Sequence, residues 1–436
     1  MRLLGVHRLH HRMGGAEGVH LDHLALFRAR GWECAEFTMA HPDNEPSGWS
    51  DYFPARFEPA SGLAGLASLP RFFHSGEARE KFTRLLDDFK PDIIHAHGVY
   101  HHLTNAILKP ARERGVPMVY TLHDYKLICP AYHFYTERLG VCEQCRGGRQ
   151  WRCLVNRCTH GSLAMDALYA LDGFVQWRVG ALRDAFARFI GPARFIVDKF
   201  AEHGFAPEKL RYVPNFFESA DDTPADADEV ARLREKHGRH VLYFGRLSAE
   251  KGLDFLIEAC ATAGVRLVVA GDGPKRDELR AHAAARGGDC HFTGYLKGAA
   301  LWAHVEAASL IALPSVWYEI APKSILEAQA RGKPVLVTDI GGLPEMAEEG
   351  ETGFIAAPAD SASLVAALGR AFALDDAALA AMGARAKNNA TTNFTHARYY
   401  REMLALYSEV SPDIAAFAQK TLSGQKPLSA QEARAP

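Results

Sequence analysis

The chain has 436 residues, 48% of them hydrophobic and 23% charged, and its formal net charge is -2 at pH 7. A chain of this length exceeds one ordinary hydrophobic core, so we expect two domains. The near-neutral charge excludes a protein that binds nucleic acid through an overall basic surface.

Two kinds of apolar segment are missing from the sequence. No stretch reaches the roughly 18 apolar residues that are needed to cross a bilayer. The first residues, Met-Arg-Leu-Leu-Gly-Val-His-Arg, lack the apolar core of a signal peptide. We therefore expect a cytoplasmic protein that is at most peripheral at the inner face of the membrane.

Short apolar runs alternate with longer amphipathic segments along the chain. Strands are predicted at 3–6, 92–96, 118–122, 188–190, 241–244, 266–270, 291–293, 310–313 and 335–338. Helices are predicted at 77–89, 254–261, 274–285 and 325–330. Strands and helices that alternate at this spacing form parallel sheets with right-handed crossovers. The sequence therefore predicts an α/β fold of two doubly wound, Rossmann-like domains, with a ligand cleft between them.

The domain boundary is expected near Val213, where Val-Pro-Asn-Phe-Phe precedes an acidic loop. We assign residues 1–213 to the N-terminal domain and 214–390 to the C-terminal domain. Residues 411–436 are rich in Ser, Ala, Gln and Pro, which predicts a disordered tail.

The segment from Pro314 to Val335 combines a strand end, a loop and a helix that begins near Pro322. Glu319 and Glu327 are eight residues apart, which corresponds to at most ~12 Å along a helix. The helix N-terminus between them offers free N–H groups to a phosphate. Two ordinary glutamates on a surface helix would give the same pattern, so this segment does not decide the function alone.

Other strand ends carry groups that suit the same ligand. Arg246 and Lys251 follow strand 241–244 in Gly-Arg-Leu-Ser-Ala-Glu-Lys-Gly, and two cations there would neutralise a diphosphate. Two solvated surface cations are the simpler alternative. Glycine-rich turns follow three strands, at Ala-Gly-Asp-Gly-Pro, at Asp-Ile-Gly-Gly-Leu-Pro-Glu and at Gly14 and Gly15. The dinucleotide pattern G-x-G-x-x-G is absent after the first strand.

These motifs occur in one order: GRLSxEKG, AGDGP, PSxxxEx7EA, GxPV and GGxxE. Because it carries these motifs in this order, the chain resembles glycosyltransferase family 4, a family of retaining enzymes, over residues 1 to 407. The resemblance implies a GT-B fold, with an acceptor-side domain at 1–213, a nucleotide-sugar donor domain at 214–390 and a helix at 391–410 that crosses back. It implies a hexosyltransferase that takes a sugar from a UDP-, GDP- or ADP-sugar. The implied acceptor is a saccharide or lipid-linked saccharide in surface polysaccharide or glycolipid synthesis.

The resemblance also implies roles for individual residues. Arg246 and Lys251 would bind the donor diphosphate, Glu319 the transferred sugar, and Glu327 the ribose hydroxyls. Four further residues would complete the site. Gly14 and Gly15 would close over the phosphates, and His123 would face the sugar near the reacting carbon. Apart from the resemblance, the neighbouring Asp124 is expected to orient His123, and a core histidine with a satisfied partner is the equal alternative.

One departure from the family pattern concerns the backbone donors. Many members have E-P-F-G where this chain has Glu319-Ile-Ala-Pro322. Proline has no N–H, so Lys323 and Ser324 are expected to supply the amides nearest to the phosphate. Catalysis is assigned to Glu319, His123, Arg246 and Lys251, and no cofactor is required for it.

Five of the eight cysteines crowd the segment 129–160, which we treat as a Cys-rich insertion. Cys142, Cys145, Cys153 and Cys158 are predicted to surround a structural zinc ion, because closed zinc sites use four such ligands. Cys129 and His160 are alternative ligands. An iron–sulfur cluster suits four thiolates equally, and unliganded reduced thiols are the simpler alternative.

Two further patterns occur in the N-terminal half. His95, His97, His101 and His102 are expected to line an acceptor cleft rather than to bind a metal. Residues 171–195 interleave Trp177, Phe186 and Phe189 with arginines, which favours either contact with an anionic membrane or a helix packed on the sheet.

The sequence also bears on three other functions. A sugar-nucleotide epimerase would share the two-domain architecture. A phosphorylase would need a pyridoxal-binding lysine, for which the sequence offers no context. A nucleotide-sugar-binding scaffold without catalysis is the alternative from another class, and the presence of Arg246, Lys251, Glu319 and Glu327 argues against it.

Overall fold

The computed structural model describes residues 1–56, 70–159, 162–179, 181–217 and 223–424. Within these residues two six-stranded sheets, each entirely parallel, form the centres of the two halves of the chain. Among the helices of these residues, none combines the length and the apolar character that a membrane span requires.

The first sheet has the strand order β2-β1-β3-β4-β7-β8. Its strands are β1 Arg2–Val6, β2 Glu33–Phe37, β3 Ile93–Ala96, β4 Met118–Thr121, β7 Arg188–Gly191 and β8 Leu210–Tyr212. A small antiparallel hairpin, β5 Tyr135–Thr136 and β6 Gly140–Val141, lies in the Cys-rich insertion. The helices of this half are Gly15–Ala29, Gly76–Phe89, Leu108–Glu113, Arg152–Asn156, Leu163–Val179, Ala181–Ala185 and Arg194–Glu202.

The second sheet has the strand order β11-β10-β9-β12-β13-β14. Its strands are β9 His240–Phe244, β10 Arg266–Ala270, β11 Cys290–Gly294, β12 Leu310–Leu313, β13 Val335–Thr338 and β14 Gly353–Ala356. Its helices are Ala227–His237, Leu253–Ala263, Arg276–Arg286, Gly298–Ala307, Lys323–Ala330, Ser361–Ala373 and Asp376–Asn393. Short 3-10 turns lie at Ser50–Tyr52, Asn105–Ile107, Pro207–Lys209, Ala249–Lys251 and Leu343–Met346.

Local sequence accounts for the regular elements. The Gly76–Phe89 helix begins after Ser75, whose side chain accepts a hydrogen bond from the N–H of Ala78, and ends at Lys90 in the left-handed conformation. Its buried residues recur every three or four positions, as a helix packed on a sheet requires. The central strands are buried along their whole length, because helices cover both faces of a parallel sheet. The predicted fold class is confirmed.

The last two helices, His396–Ser408 and Pro412–Gly424, return to the first half of the chain. Tyr399, Tyr400, Met403 and Tyr407 pack in one buried cluster with residues of β1, β3, β4 and β7. The two chain segments that join the halves meet there, since the N–H of Phe217 donates to the carbonyl of Phe394 at 3.1 Å.

Two expectations about these regions are wrong. The predicted disordered tail is helical up to residue 424, and Ile414 and Ala418, one helical turn apart, are buried against the N-terminal half. Residues 425–436 lie outside the described residues. Phe186 and Phe189, proposed for a membrane surface, are core residues because β7 and the chain before it are central to the first sheet. The side chains of Trp177 and Arg178 are not among those described.

Candidate active site

Two adjoining cavities lie at the carboxyl ends of the strands, between the two halves of the chain. The larger, of about 1270 Å³, is lined from the N-terminal half by Gly14 and Gly15 and from the C-terminal half by Arg246. The smaller, of about 500 Å³, is lined by His123, Glu319 and Lys323. Both cavities are lined by Gly14, Gly15, Lys251, Ser324 and Glu327. The structure thus brings all nine residues predicted for the donor site to one pair of cavities, while their individual roles stay predictions.

Close backbone packing fixes the loop that carries Arg246. A Cβ on Gly271 would lie 1.9 Å from the carbonyl oxygen of Gly245, and one on Gly273 would lie 2.3 Å from that of Leu247. The Ala-Gly-Asp-Gly turn therefore needs glycine in order to lie against the Arg246 loop. The Tyr243 hydroxyl donates to the Arg246 carbonyl at 2.7 Å, which holds the loop from the other side.

The two cations of the site differ in their surroundings. The Arg246 side chain is exposed at the cavity, and no carboxylate within the described ranges pairs with its guanidinium. The Lys251 Nζ lies 2.5 Å from Oε1 of Glu319, and the Ser315 hydroxyl donates to the same oxygen at 2.6 Å. Lys251 and Glu319, which the sequence assigned to separate parts of the donor, are therefore bonded to each other.

This bonding sets the charge of Glu319. Burial alone would raise the pKa of its carboxyl group, but the Lys251 ammonium and the hydrogen bonds from Lys251 and Ser315 hold the pKa below its usual range. Glu319 is therefore an ionised acceptor at neutral pH, suited to sugar hydroxyls.

His123 is held by a second histidine. Its Nε2 lies 2.8 Å from Nδ1 of His97, and burial lowers the pKa of His123 to about 3. The expectation that Asp124 orients His123 is wrong, because the Asp124 carboxylate accepts hydrogen bonds from the Lys126 N–H at 2.8 Å and the Tyr100 hydroxyl at 3.2 Å.

His97 belongs to a set of imidazoles in stacked and edge-to-face contact that we call the histidine array. Its rings lie 4.2 to 5.5 Å from a neighbouring ring of the set, apart from His10 at 6.2 Å from His20. The expectation that His95 and His97 line an acceptor cleft is wrong, because both are buried in β3 and directly after it. The array consists of His7, His10, His20, His23, His95, His97 and His123.

The array also contacts the returning C-terminal helix. The Tyr407 hydroxyl lies 2.6 Å from Nδ1 of His95 and 3.0 Å from Nε2 of His23, and the Tyr399 hydroxyl lies 3.0 Å from Nδ1 of His23. The side chains of His101 and Tyr132 are hydrogen-bonded to each other. His101 and His102 are half-buried, and their place in an acceptor cleft stays a prediction.

Two contacts between the halves were missed by the sequence analysis. Lys323 Nζ lies 2.8 Å from Oδ2 of Asp22, whose other oxygen is 2.5 Å from an Arg12 nitrogen. The Glu345 carboxylate accepts hydrogen bonds from the N–H groups of Arg194 and Phe195 at 2.8 and 2.7 Å. A lone carboxylate within the apolar run of the Gly15–Ala29 helix was the available signal for Asp22.

The cysteines of the insertion approach one another as free thiols. Cys129, Cys145, Cys153 and Cys158 are buried, whereas the Cys142 sulfur is half-buried and accepts a hydrogen bond from Asn156 at 3.6 Å. Burial, and then the nearby thiols of Cys129 and Cys158, raise the pKa of Cys145. The alternative ligand His160 lies outside the described residues.

Metal-ligating groups meet more closely elsewhere. In the part of the chain that the structure describes, the sets with ligand atoms within 4.8 Å of one another are His23, His95 and His97, and His11, His41 and Asp43. No set of cysteines is among them.

Comparison with known proteins gives two family models. The model described as Glycosyltransferase Family 4 matches residues 13–220, and that described as Glycosyl transferases group 1 matches residues 226–391. The alpha-D-kanosaminyltransferase of Streptomyces kanamyceticus is 35% identical over 153 residues, which cover 32% of this chain and 39% of that protein. The lipopolysaccharide 1,2-N-acetylglucosaminetransferase of Salmonella typhimurium is 30% identical over 209 residues, which cover 44% of this chain and 55% of that protein.

The likeness to solved structures extends over nearly the whole chain. The crystal structure of HepE from Anabaena in complex with UDP and glucose superposes with a TM-score of 0.63 at 20% sequence identity, covering 94% of this chain and 100% of that one. This likeness shows the fold, whereas the curated relatives are matched over about two fifths to a little over half of their length. Because the two family models together match most of the sequence, the chain belongs to glycosyltransferase family 4 and has the GT-B fold.

Proposed function

We propose that the protein is a retaining glycosyltransferase that moves a sugar from a nucleoside diphosphate sugar to an acceptor hydroxyl. The observation that carries the proposal is the placement of an exposed cation, Arg246, and an ionised carboxylate, Glu319, in two cavities between the halves that share lining residues. The nucleotide would occupy the larger cavity and the transferred sugar the smaller one.

The leaving diphosphate would be held by charge and by backbone donors. Arg246 supplies a cation, and the N-termini of the Gly15–Ala29 and Lys323–Ala330 helices supply N–H groups from opposite halves. Lys323 and Ser324 would contribute through their amides, since the Lys323 side chain pairs with Asp22. These groups stabilise the negative charge that develops as the bond to the sugar breaks.

The sugar would be oriented by Glu319, Lys251 and His123. The Lys251 ammonium keeps Glu319 ionised and fixed, so that it accepts hydrogen bonds from sugar hydroxyls. His123 is neutral and would offer a hydrogen bond near the reacting carbon. The acceptor hydroxyl would attack on the face from which the diphosphate leaves, and a phosphate oxygen would take its proton. Glu327 would bind the ribose hydroxyls.

The donor and acceptor classes are part of the proposal. The solved relative holds UDP and glucose, which favours a UDP-sugar over the GDP- and ADP-sugars. The Salmonella relative is named for lipopolysaccharide, which favours a saccharide or lipid-linked saccharide acceptor and a place in surface polysaccharide or glycolipid synthesis.

A thermal-shift panel with UDP, GDP, ADP and their sugars tests the proposal. A nucleotide at ~100 times its dissociation constant stabilises the native state by about 2.7 kcal/mol, so one series should raise the melting temperature of the wild type. Release of nucleoside diphosphate on adding an acceptor extract would then separate an enzyme from a binding scaffold, and Glu319→Gln should abolish that release. No shift with any nucleotide would overturn the proposal.

We further propose that the Cys-rich insertion holds a structural zinc ion on Cys129, Cys145, Cys153 and Cys158. This set is favoured over one with Cys142 because its four members are buried in one cluster, whereas Cys142 is half-buried. Zinc would draw the sulfurs closer and hold them as thiolates. The ion would brace the chain that leads from His123 to the hairpin β5–β6.

Metal analysis of the purified protein tests this second proposal. We expect about one zinc per chain in the wild type, lost in Cys145→Ser and kept in Cys260→Ser, which removes a buried cysteine of the other half. If the bound metal is iron and the protein absorbs visible light, the site holds an iron–sulfur cluster and not a zinc ion. Wild-type protein without bound metal would refute the site.

A further inference from the structure

The Leu163–Val179 helix has its polar and apolar faces reversed relative to an ordinary surface helix. Its acidic residues, Asp166 and Asp172, are buried, whereas Leu163, Leu171 and Phe174 are between 46% and 58% exposed. A helix on the surface of a water-soluble domain normally buries its apolar stripe and exposes its charges. The outward face of this helix is therefore built for apolar contact.

The buried carboxylates explain why the helix keeps this orientation. Asp172 lies 2.6 Å from the Lys126 ammonium, and both side chains are almost fully buried. Asp166 accepts hydrogen bonds from the N–H and hydroxyl of Thr159 at 2.9 and 2.8 Å. Turning the helix to bury its leucines would break these bonds and leave Lys126 without its counter-ion, which is more costly than exposing apolar side chains.

A neighbouring helix enlarges the apolar face. Arg152–Asn156 packs against Leu163–Val179, and Trp151 and Val155, one helical turn apart, are each more than half exposed. Exposed apolar side chains on two helices that pack together mark an interaction site. We call the outward side chains of Trp151, Val155, Leu163, Leu171 and Phe174 the apolar patch.

The segment that carries Trp151, Val155 and Leu163 is basic. Residues 144–165 contain four arginines and no Asp or Glu. Arg146, Arg149 and Arg157 are exposed, Arg157 also pairs with Asp166 at 3.5 Å, and the Arg152 guanidinium lies 4.5 Å from the centroid of the Trp151 ring. Apolar side chains with an aromatic ring, rimmed by cations, match the interface of an anionic lipid bilayer. A twofold contact with a second copy would instead bring these arginines toward one another.

We propose that the apolar patch and its arginine rim dock the protein on an anionic membrane surface. The leucine, valine and phenylalanine side chains enter the headgroup region, and the arginines pair with lipid phosphates. Asp172 ties the docked helix to Lys126, three residues after His123, so the membrane-bound surface is joined to the loop that borders the smaller cavity. The docking itself does not depend on the proposed transferase reaction.

Co-sedimentation with vesicles tests the docking surface. The full-length protein should bind vesicles that contain phosphatidylglycerol, bind vesicles of pure phosphatidylcholine more weakly, and release from the former as salt is raised. The double variant Leu171→Gln with Phe174→Gln removes two exposed apolar side chains and should weaken binding by at least about tenfold. Leu139→Gln, an exposed leucine outside the patch, should bind like the wild type.

Two results would overturn the proposal. One is that the wild-type protein does not bind anionic vesicles. The other is that the wild type and the double variant bind them equally. Light scattering that finds a dimer abolished by the double variant would assign the patch to a second copy instead. Nucleotide thermal shifts measured on the same variants should match the wild type, so a failure of docking is distinguishable from a failure of the proposed catalytic function.

Discussion

The histidine array predicts that the protein loses stability at mildly acidic pH. Burial lowers the pKa of His7 and His10 to about 4 and that of His23 to about 3, and the nearby Glu17 carboxylate offsets only part of this effect at His7. Burial also holds the pKa of His20, His95 and His97 well below the usual value. As pH falls below about 6.5, these histidines bind protons in the unfolded chain but stay neutral in the folded chain, so the free energy of unfolding decreases.

The size of the effect follows from these values. A histidine with an ordinary pKa when unfolded and a folded pKa near 3 or 4 costs about 1.4 kcal/mol of stability for each pH unit below about 6.5. His7, His10, His23 and His123 together would remove roughly 5 kcal/mol between about pH 7.5 and about pH 5.5. A typical domain has about 5–15 kcal/mol in total, so we expect unfolding to begin near about pH 5.

Urea denaturation at a series of pH values measures this loss directly. The midpoint should fall steeply below about pH 6.5. In the described part of the chain neither ring nitrogen of His20 has a hydrogen-bond partner, so His20→Leu should flatten the pH dependence. His74→Gln, which changes an exposed imidazole, should leave it unchanged. A midpoint that stays constant between about pH 7.5 and about pH 5.5 would refute the idea that the array is buried and neutral.

Three further variants test other contacts. Arg246→Ala should weaken nucleotide binding about 10- to 30-fold in calorimetry, because a charged hydrogen bond at an exposed site contributes about 1.5–2 kcal/mol; the melting temperature without nucleotide should not change, and Arg401→Ala, an exposed arginine elsewhere, should bind normally. Asp172→Asn removes the carboxylate that lies 2.6 Å from the buried Lys126 ammonium and should cost about 3–5 kcal/mol in urea denaturation, whereas a variant with Lys126→Met and Asp172→Leu together should recover most of the loss. Tyr407→Phe removes the hydroxyl shared by His95 and His23 and should cost about 1–3 kcal/mol; an unchanged midpoint would show that the array does not hold the returning helix.

The sequence located the candidate site because its residues follow strand ends. Arg246, Glu319 and Gly14 each come directly after a buried strand or in the loop beyond it, and the ends of parallel strands meet at one edge of a sheet. Strands that consist of a continuous apolar run could be predicted from the sequence. The strands β2 and β8 were missed because charged residues interrupt them, and β14 was missed because it begins with a glycine and is only four residues long.

Contacts between the halves could not be predicted in the same way. The pairing of Lys323 with Asp22 depends on how two separately built domains meet, which no local pattern encodes. The partner of His123 was assigned to its sequence neighbour Asp124, but in the fold a residue of the adjacent strand end, His97, lies closer. The aromatic residues near β7 were ambiguous for a related reason, since composition alone does not tell a buried ring from an exposed one.

The two connecting segments between the halves are hydrogen-bonded to each other at Phe217 and Phe394. This contact limits how the halves can move and how they can be exchanged, and each connecting segment is called a crossing below. A single connection would let the two halves rotate freely relative to each other. Two neighbouring connections act as one hinge, so the cleft opens by rotation about the axis through them. Exchange of the donor half with that of a relative needs two cuts, one at each crossing. A fragment that ends after Phe217 would lack the His396–Ser408 helix and leave the aromatic face around Phe27 and Trp32 bare, so the N-terminal half is not an independent module.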